Sequence, residues 1–294
     1  MVDFTLKITF IFLWASAFVA AKFGLNDAGP FSMLAVRFTI VTCIFAALVF
    51  LFNSKWPKIN EIPYIALVGI LLHGFYLGGV FYSITKGTSA GISSLIVSLH
   101  PVLTCILAIY LIKEKITYDK WLGIFLGFFG VVLVVWPRLG GELPLIGFVS
   151  CIVALIAISF GTIIQKKYLE KMDILGGNTV QAIFAAIFFS LLILFFEPFK
   201  FNLTIDLFIS MTWLILLVSL GAISILMFLI KRGEMSSTSS LFFLAPPVSA
   251  ILGYIVFKEE LNALGIIGFI ITCAGVWIVN RQPKKKINFI KINF

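Results

Sequence analysis

Ten long apolar runs dominate this chain, and they leave it one class of fold. They fall at 6–25, 30–52, 62–84, 88–112, 119–137, 144–168, 175–196, 207–230, 235–257 and 262–280. A hydrocarbon core roughly 30 Å thick takes about 20 apolar residues to cross as a helix, so each run can span it. Lipid offers no partner to a free backbone N–H or C=O, which restricts spanning structures to helices and closed barrels. A barrel needs alternating apolar and polar residues, and Ile183–Phe196 does not alternate. The sequence therefore predicts an all-α integral membrane protein with ten transmembrane helices. The connections are too short to hide a soluble domain.

The net charge of +9 would suggest a nucleic-acid partner in a soluble chain. Here topology accounts for it, and no nucleic acid is expected. With the N-terminus placed inside, the inner ends collect Lys7, Lys55, Lys58, Lys113, Lys115, Lys120, Lys166, Lys167, Lys171, Lys231, Arg232, Arg281, Lys284, Lys285, Lys286 and Lys291, sixteen of the 22 basic residues. The outer ends hold five, Lys22, Lys86, Arg138, Lys200 and Lys258, and Arg37 lies inside a span. This is a positive-inside bias. It predicts a multi-pass protein of a bacterial inner (plasma) membrane with both termini cytoplasmic and a basic tail, 283–294, near anionic headgroups. Ala15-Ser16-Ala17 after the first apolar run loosely matches a signal-peptide cleavage site. Removal would leave nine spans and spoil the repeat described next, so the run is read as span 1. The four cysteines, Cys43, Cys105, Cys151 and Cys273, lie inside spans with no metal or redox spacing and read as small buried hydrophobes.

The halves of the chain repeat. Leu99–Glu114 aligns with Leu244–Glu259 at an offset of 145 (259 − 114), pairing Pro101 with Pro246, Lys113 with Lys258, Gly123 with Gly268 and Gly130 with Gly275. Ser16–Lys22 aligns with Phe160–Lys166 at 144 (166 − 22). Each half, 1–140 and 141–282, holds five spans. An odd number sends the second half into the membrane from the opposite side, which predicts two inverted five-helix repeats, an arrangement used for alternating access to a central site.

At this point the sequence resembles the drug/metabolite transporter superfamily, in particular its EamA-type members. The residues that carry the resemblance are Leu13–Val19 with Lys22 (Trp14, Ser16 and Phe18 in a Trp-small-Ser-x-Phe pattern), Pro30 followed by Arg37-Phe38, the Pro101/Glu114 and Pro246/Glu259 pairs, and the glycines Gly123, Gly127, Gly130, Gly268 and Gly275. The resemblance implies a ten-helix carrier with a central substrate cavity. Ile158-Ser159-Phe160 stands where the second half would repeat the Trp-Ser element, so the lining does not transfer between halves by symmetry.

Polar groups inside a membrane are costly and default to functional candidates. His73 lies eleven residues into span 3, about 16 Å deep at 1.5 Å per residue, and His100 sits twelve into span 4. Each can bond a substrate, relay a proton or tie a backbone carbonyl between helices. His100 adjoins Pro101, which, like Pro246 and Pro247, removes a helical bond and should bend its span. Tyr76 stands one turn from His73 on the same side; Tyr82 reads equally as an interfacial aromatic. Trp14 and Ser16 are at mid-depth and either line the cavity or pack, with the resemblance favouring lining for Trp14. Arg37 and Lys22 lie in outer portions of spans 2 and 1. They either snorkel or make an outer vestibule that favours anionic or zwitterionic solutes, and for Arg37 a structural hydrogen-bonding role is a third reading. Asn178 and Gln181 share one face of span 7, and Ser236–Ser240 opens span 9. Gly74/Gly78 and Gly123/Gly127 read as close helix contacts, and Glu114 and Glu259 as anchors at helix ends. The candidate substrate-contacting set is Trp14, Ser16, Arg37, His73, Tyr76, His100 and Gln181.

No zinc-protease, phosphate-loop or nucleophile-elbow motif is present, so no metal, cofactor or catalytic role is expected. The leading expectation is a secondary transporter moving a small metabolite (an amino acid, nucleoside or cofactor-like solute), with proton coupling through His73 as a further option. A flippase for a lipid-linked intermediate, which a long lateral apolar groove would favour, is the alternative. An intramembrane enzyme is the third reading.

Overall fold

The computed structural model describes residues 2–112, 118–135, 144–169, 172–222, 225, 245–258 and 263–280. The far ends of spans 8 and 9, Ser236–Ser240, Glu114, Glu259 and the basic tail lie outside the described residues. Within them the chain is helical, with one isolated bridge between Ala28 and Phe201. The protein is an all-α integral membrane protein. Its spans run Val2–Gly24, Pro30–Leu51, Ile62–Thr85, Ala90–Val97 with His100–Ile112, Tyr118–Val135, Leu145–Tyr168, Ile174–Phe196, Ile205–Thr212 with Trp213–Ala222, Ala245–Phe257 and Ala263–Asn280.

Local chemistry sets the ends. Asp173 accepts from the amides of Leu175 (3.1 Å) and Gly176 (3.0 Å) to start span 7. Thr204 and Ser89 cap spans 8 and 4 the same way, each meeting an amide that a helix start leaves without an internal partner. Span 2 begins with Pro30, and its orphan amides are met from afar: the Glu197 carboxylate accepts from Ser32 N (3.0 Å), Ser32 Oγ (2.7 Å) and Phe31 N (3.3 Å). Span 4 breaks at Ser98-Leu99. Pro101 has no N–H for the Val97 carbonyl, and the His100 side chain hydrogen-bonds that carbonyl instead.

The helices pack with the symmetry of the repeat. Span 2 lies on span 7, span 5 on span 10, and span 4 on span 9, each with its own symmetry mate. Span 3 packs on span 6 as span 8 packs on span 1, and span 4 on span 6 as span 9 on span 1. The seam between spans 5 and 10 shows the inversion directly. A Cβ at Gly130 would stand 2.6 Å from the Gly268 carbonyl oxygen, and one at Gly275 would stand 2.7 Å from that of Gly123. The later residue of one helix meets the earlier of the other, so the two run antiparallel. These two contacts are copies of one another under the 145-residue offset. Only glycine lets backbones approach this closely.

Spans 1–2 and 7–8 are laced at one membrane face. Gly29 N donates to Lys200 O (3.0 Å), Asn202 N to Asp27 O (3.0 Å) and Thr204 Oγ1 to Asp27 Oδ2 (2.6 Å). Among the described residues, two spans also depart from α geometry, at positions that correspond under the repeat. Span 3 is π-helical over Ile70–Phe75 and span 8 over Trp213–Ala222; the first maps onto 215–220 under the repeat. π turns concentrate at functional sites. The bundle's outside carries large exposed apolar side chains such as Phe125, Phe128, Leu194 and Ile270, the surface expected to meet lipid chains.

Candidate substrate-binding site

Spans 1, 2, 3, 7 and 8 enclose a cavity of about 90 Å³. Its wall is mostly aromatic and aliphatic: Trp14, Ala17, Phe18, Phe38, Val41, Phe45, Leu77, Val80, Phe81, Ala182 and Val218. Arg37, His73, Tyr76, Asn178 and Ser219 supply the polar part. Both π-helical segments reach it, through His73 on span 3 and through Val218 and Ser219 on span 8.

Arg37 is buried, at 5% exposure. Its Nη2 donates to Ser219 Oγ at 2.9 Å, and Ser219 donates in turn to the Leu214 carbonyl at 3.0 Å. The guanidinium carbon lies 5.7 Å from the ring centre of Phe38. Arg37 Nε has no protein acceptor. Among the described residues, no carboxylate pairs with this guanidinium, so its charge is held by one hydroxyl and an aromatic ring.

The His73 ring lies 5.0 Å from that of Phe38, and the imidazole hydrogen-bonds the Gln181 side chain. Gln181 is 1% exposed, and its Nε2 has no protein acceptor, so the bond to His73 uses the amide oxygen. Gln181 is fixed by close backbone packing: a Cβ at Gly69 would stand 2.7 Å from its carbonyl oxygen. Tyr76, 7% exposed, faces the cavity from the turn after His73.

Of the seven candidate residues, Trp14, Arg37, His73 and Tyr76 line the cavity together. Gln181 stands behind the lining, against His73. Ser16 is committed to structure: its Oγ donates to the Leu13 carbonyl (2.9 Å) and accepts from Trp213 Nε1 (2.9 Å). His100 is outside the cavity, at the break in span 4, where its own carbonyl also accepts from Ser159 Oγ (3.3 Å). Lys22 lies over the Phe257 ring at 4.4 Å, and Tyr82 stacks on Phe31 near the end of span 3. Gly74 and Gly78 are packing positions against Phe188 and Phe189. Sequence reasoning missed Ser219, the hydroxyl that holds Arg37, because a lone serine in an apolar run reads as a bond to its own helix. The repeat held a signal for one further relation. Carried forward into span 2, the 144-residue offset of the earlier segment aligns Arg37 with Gln181 (37 + 144).

Comparison with known proteins agrees with this architecture. The chain is 27% identical over 286 residues to an uncharacterized transporter of Archaeoglobus fulgidus, covering 94% of this chain and 97% of that one. It is 24% identical over 292 residues to a probable amino-acid metabolite efflux pump of Escherichia coli, with 94% of each covered. A crystal structure superposes with a TM-score of 0.63 at 16% identity, over 94% of this chain and 96% of that one, a likeness of fold. The EamA-like transporter family matches twice, at residues 4–136 and 145–281, one match for each five-span half. With both halves matched and packed as inverted copies, the chain belongs to the EamA-like transporter family.

Proposed function

We propose that this protein is a secondary carrier that moves a small metabolite across a bacterial inner membrane by alternating access around the cavity of Trp14, Arg37, His73 and Tyr76. The observation that carries the reading is a set of buried polar side chains gathered at mid-depth, between two inverted repeats. Inverted-repeat carriers keep their site at that place. The relative named a probable amino-acid metabolite efflux pump supports small-molecule transport. The halves 1–140 and 141–282 act as the two moving units, with both termini and the tail 283–294 in the cytoplasm. His73 is the group available for proton coupling.

An apolar groove open to lipid favours a flippase, and one lies between spans 3 and 6, lined by Leu71, Phe75, Val153, Ile156, Ala157, Phe160 and Ile164. The polar side chains gather instead in the central cavity, and that observation puts the metabolite reading first. Uptake and counterflow of a labelled metabolite panel in proteoliposomes, with and without a proton gradient, tests the proposal. Saturable flux of a panel member that Trp14→Ala and His73→Ala weaken supports it. Flux of labelled lipid alone overturns it in favour of a flippase.

A further inference from the structure

We infer that the cavity selects organic monoanions, monocarboxylates with an apolar body, and does not read an α-amino group. This rests on the carrier reading and narrows its substrate.

The first observation is the unmatched charge. A buried ion costs several kcal/mol unless paired and hydrogen-bonded. Arg37 is buried, has no carboxylate partner among the described residues, and leaves Nε without a protein acceptor. The second observation is independent. Gln181, buried behind the lining against His73, also leaves an N–H donor group unmatched. Buried donors are nearly always satisfied in folded proteins. Two that are not, both beside the His73 imidazole, describe a place for an acceptor. A carboxylate accepts through two oxygens and suits a guanidinium's paired donors.

The third observation sets the rest of the solute. Among the described residues that line the cavity there is no carboxylate, and Tyr76, Asn178 and Ser219 are neutral. An ammonium there would meet the field of Arg37 with no counter-charge. One guanidinium balances one negative charge, so a dianion would leave a surplus in an apolar site. The rest of the lining is mostly apolar, Trp14, Phe18, Phe45 and Phe81 among it, and offers surface for an apolar body with no charged group for a second ionic end.

The test uses the full chain in lipid nanodiscs and three tritiated probes with the same branched hydrocarbon body: 4-methylpentanoate, leucine and 3-methylbutylamine. The acid should bind at least as tightly as leucine. The amine should bind at least ~10-fold more weakly than the acid, the loss of a charge-assisted bond. Arg37→Gln should weaken the acid by ~10–100-fold. Gln181→Met, which keeps the volume, should weaken it by ~3–10-fold and gives the answer if Arg37→Gln does not fold. Arg37→Lys should recover part of the affinity, because it keeps the charge without the fork. The inference is overturned if the amine binds as well as the acid, if leucine binds ~10-fold tighter than the acid, or if the folded variants bind the acid unchanged. Proteoliposome flux separates the two claims. Flux of another solute with no binding of the three probes refutes the substrate class alone, while absence of flux for every solute refutes the carrier reading.

Discussion

Replacing Gly130 by alanine should part spans 5 and 10. The new methyl carbon would stand 2.6 Å from the Gly268 carbonyl oxygen and 2.5 Å from the Thr272 amide nitrogen. Both are backbone atoms of a helix, so no side chain can turn aside. Ordinary contact begins near 3.4 Å, so the two helices must separate by about 0.9 Å (3.4 − 2.5), a gap that forfeits roughly a quarter to a half of each dispersion contact along the seam. Overpacking of this kind costs about 1–3 kcal/mol. Alanine returns up to about 1 kcal/mol over glycine in helix preference, so the net effect is destabilising. The net cost is then up to about 2 kcal/mol, and at about 2–4 °C per kcal/mol Tm should fall by up to about 8 °C. The assay is thermal denaturation of the detergent-purified protein followed by size-exclusion fluorescence. Gly221→Ala is the internal control: its nearest atoms would be 3.5 Å and 3.6 Å away, so Tm should hold or rise. Gly130→Ala with Gly268→Ala should cost less than the sum of the two, since the separation that one forces also makes room for the other. If both single variants melt at or above the parent temperature, the two spans do not meet at these glycines and the antiparallel seam is wrong.

Three further outcomes follow from the same geometry. His73→Ala should weaken substrate affinity about 10-fold, the value of one or two buried hydrogen bonds, while the melting temperature stays near the parent's; cysteines at 73 and 76 should be protected from thiol reagents by substrate, and no protection at either would remove span 3 from the cavity. His100→Leu should do the reverse, lowering stability by about 1–3 kcal/mol because the Val97 carbonyl loses its partner while substrate selectivity is unchanged; altered selectivity would mean that His100 reaches the substrate. A protease site placed after Lys291 should resist cleavage in intact spheroplasts and be cut once they are lysed, and cutting in intact cells would reverse the topology.

Most of the frame was legible because hydrophobic length is a coarse signal. The expected starts at 30, 62 and 144 fall on or beside Pro30, Ile62 and Leu145. The repeat was legible in glycines, since close backbone approach admits no other residue at Gly130 and Gly268. Depth and spacing put His73 and Tyr76 on one side of span 3, and both line one cavity; Arg37, expected in an outer vestibule, lines the same cavity. Ser16 shows the limit. Its depth matched that of Trp14, but a serine hydroxyl has carbonyls of its own helix within reach, and the Trp213 indole on a distant span takes its lone pair. The π turns in spans 3 and 8 left no mark in sequence, because leucine and isoleucine fit either helix. The break in span 4 was half visible. Pro101 announced it, and the service of His100 as substitute donor depended on a geometry that spacing does not report.

The pairing of Arg37 with Gln181 bears on why the two halves share one polypeptide. An assembly of two identical five-helix chains would set the same side chain on both sides of the axis. Two guanidiniums facing one another would repel at short range in a poor dielectric, and two amides would hold no charge at all. Covalent fusion lifts that identity: one copy keeps a cation, the other a neutral donor, and the centre carries a single charge that neither homodimer could hold. Fusion also gives the centre a polarity across the axis, so that a solute with unlike ends sits one way round. Exchanging the two residues, Arg37→Gln with Gln181→Arg, would turn that polarity over in an otherwise unchanged bundle.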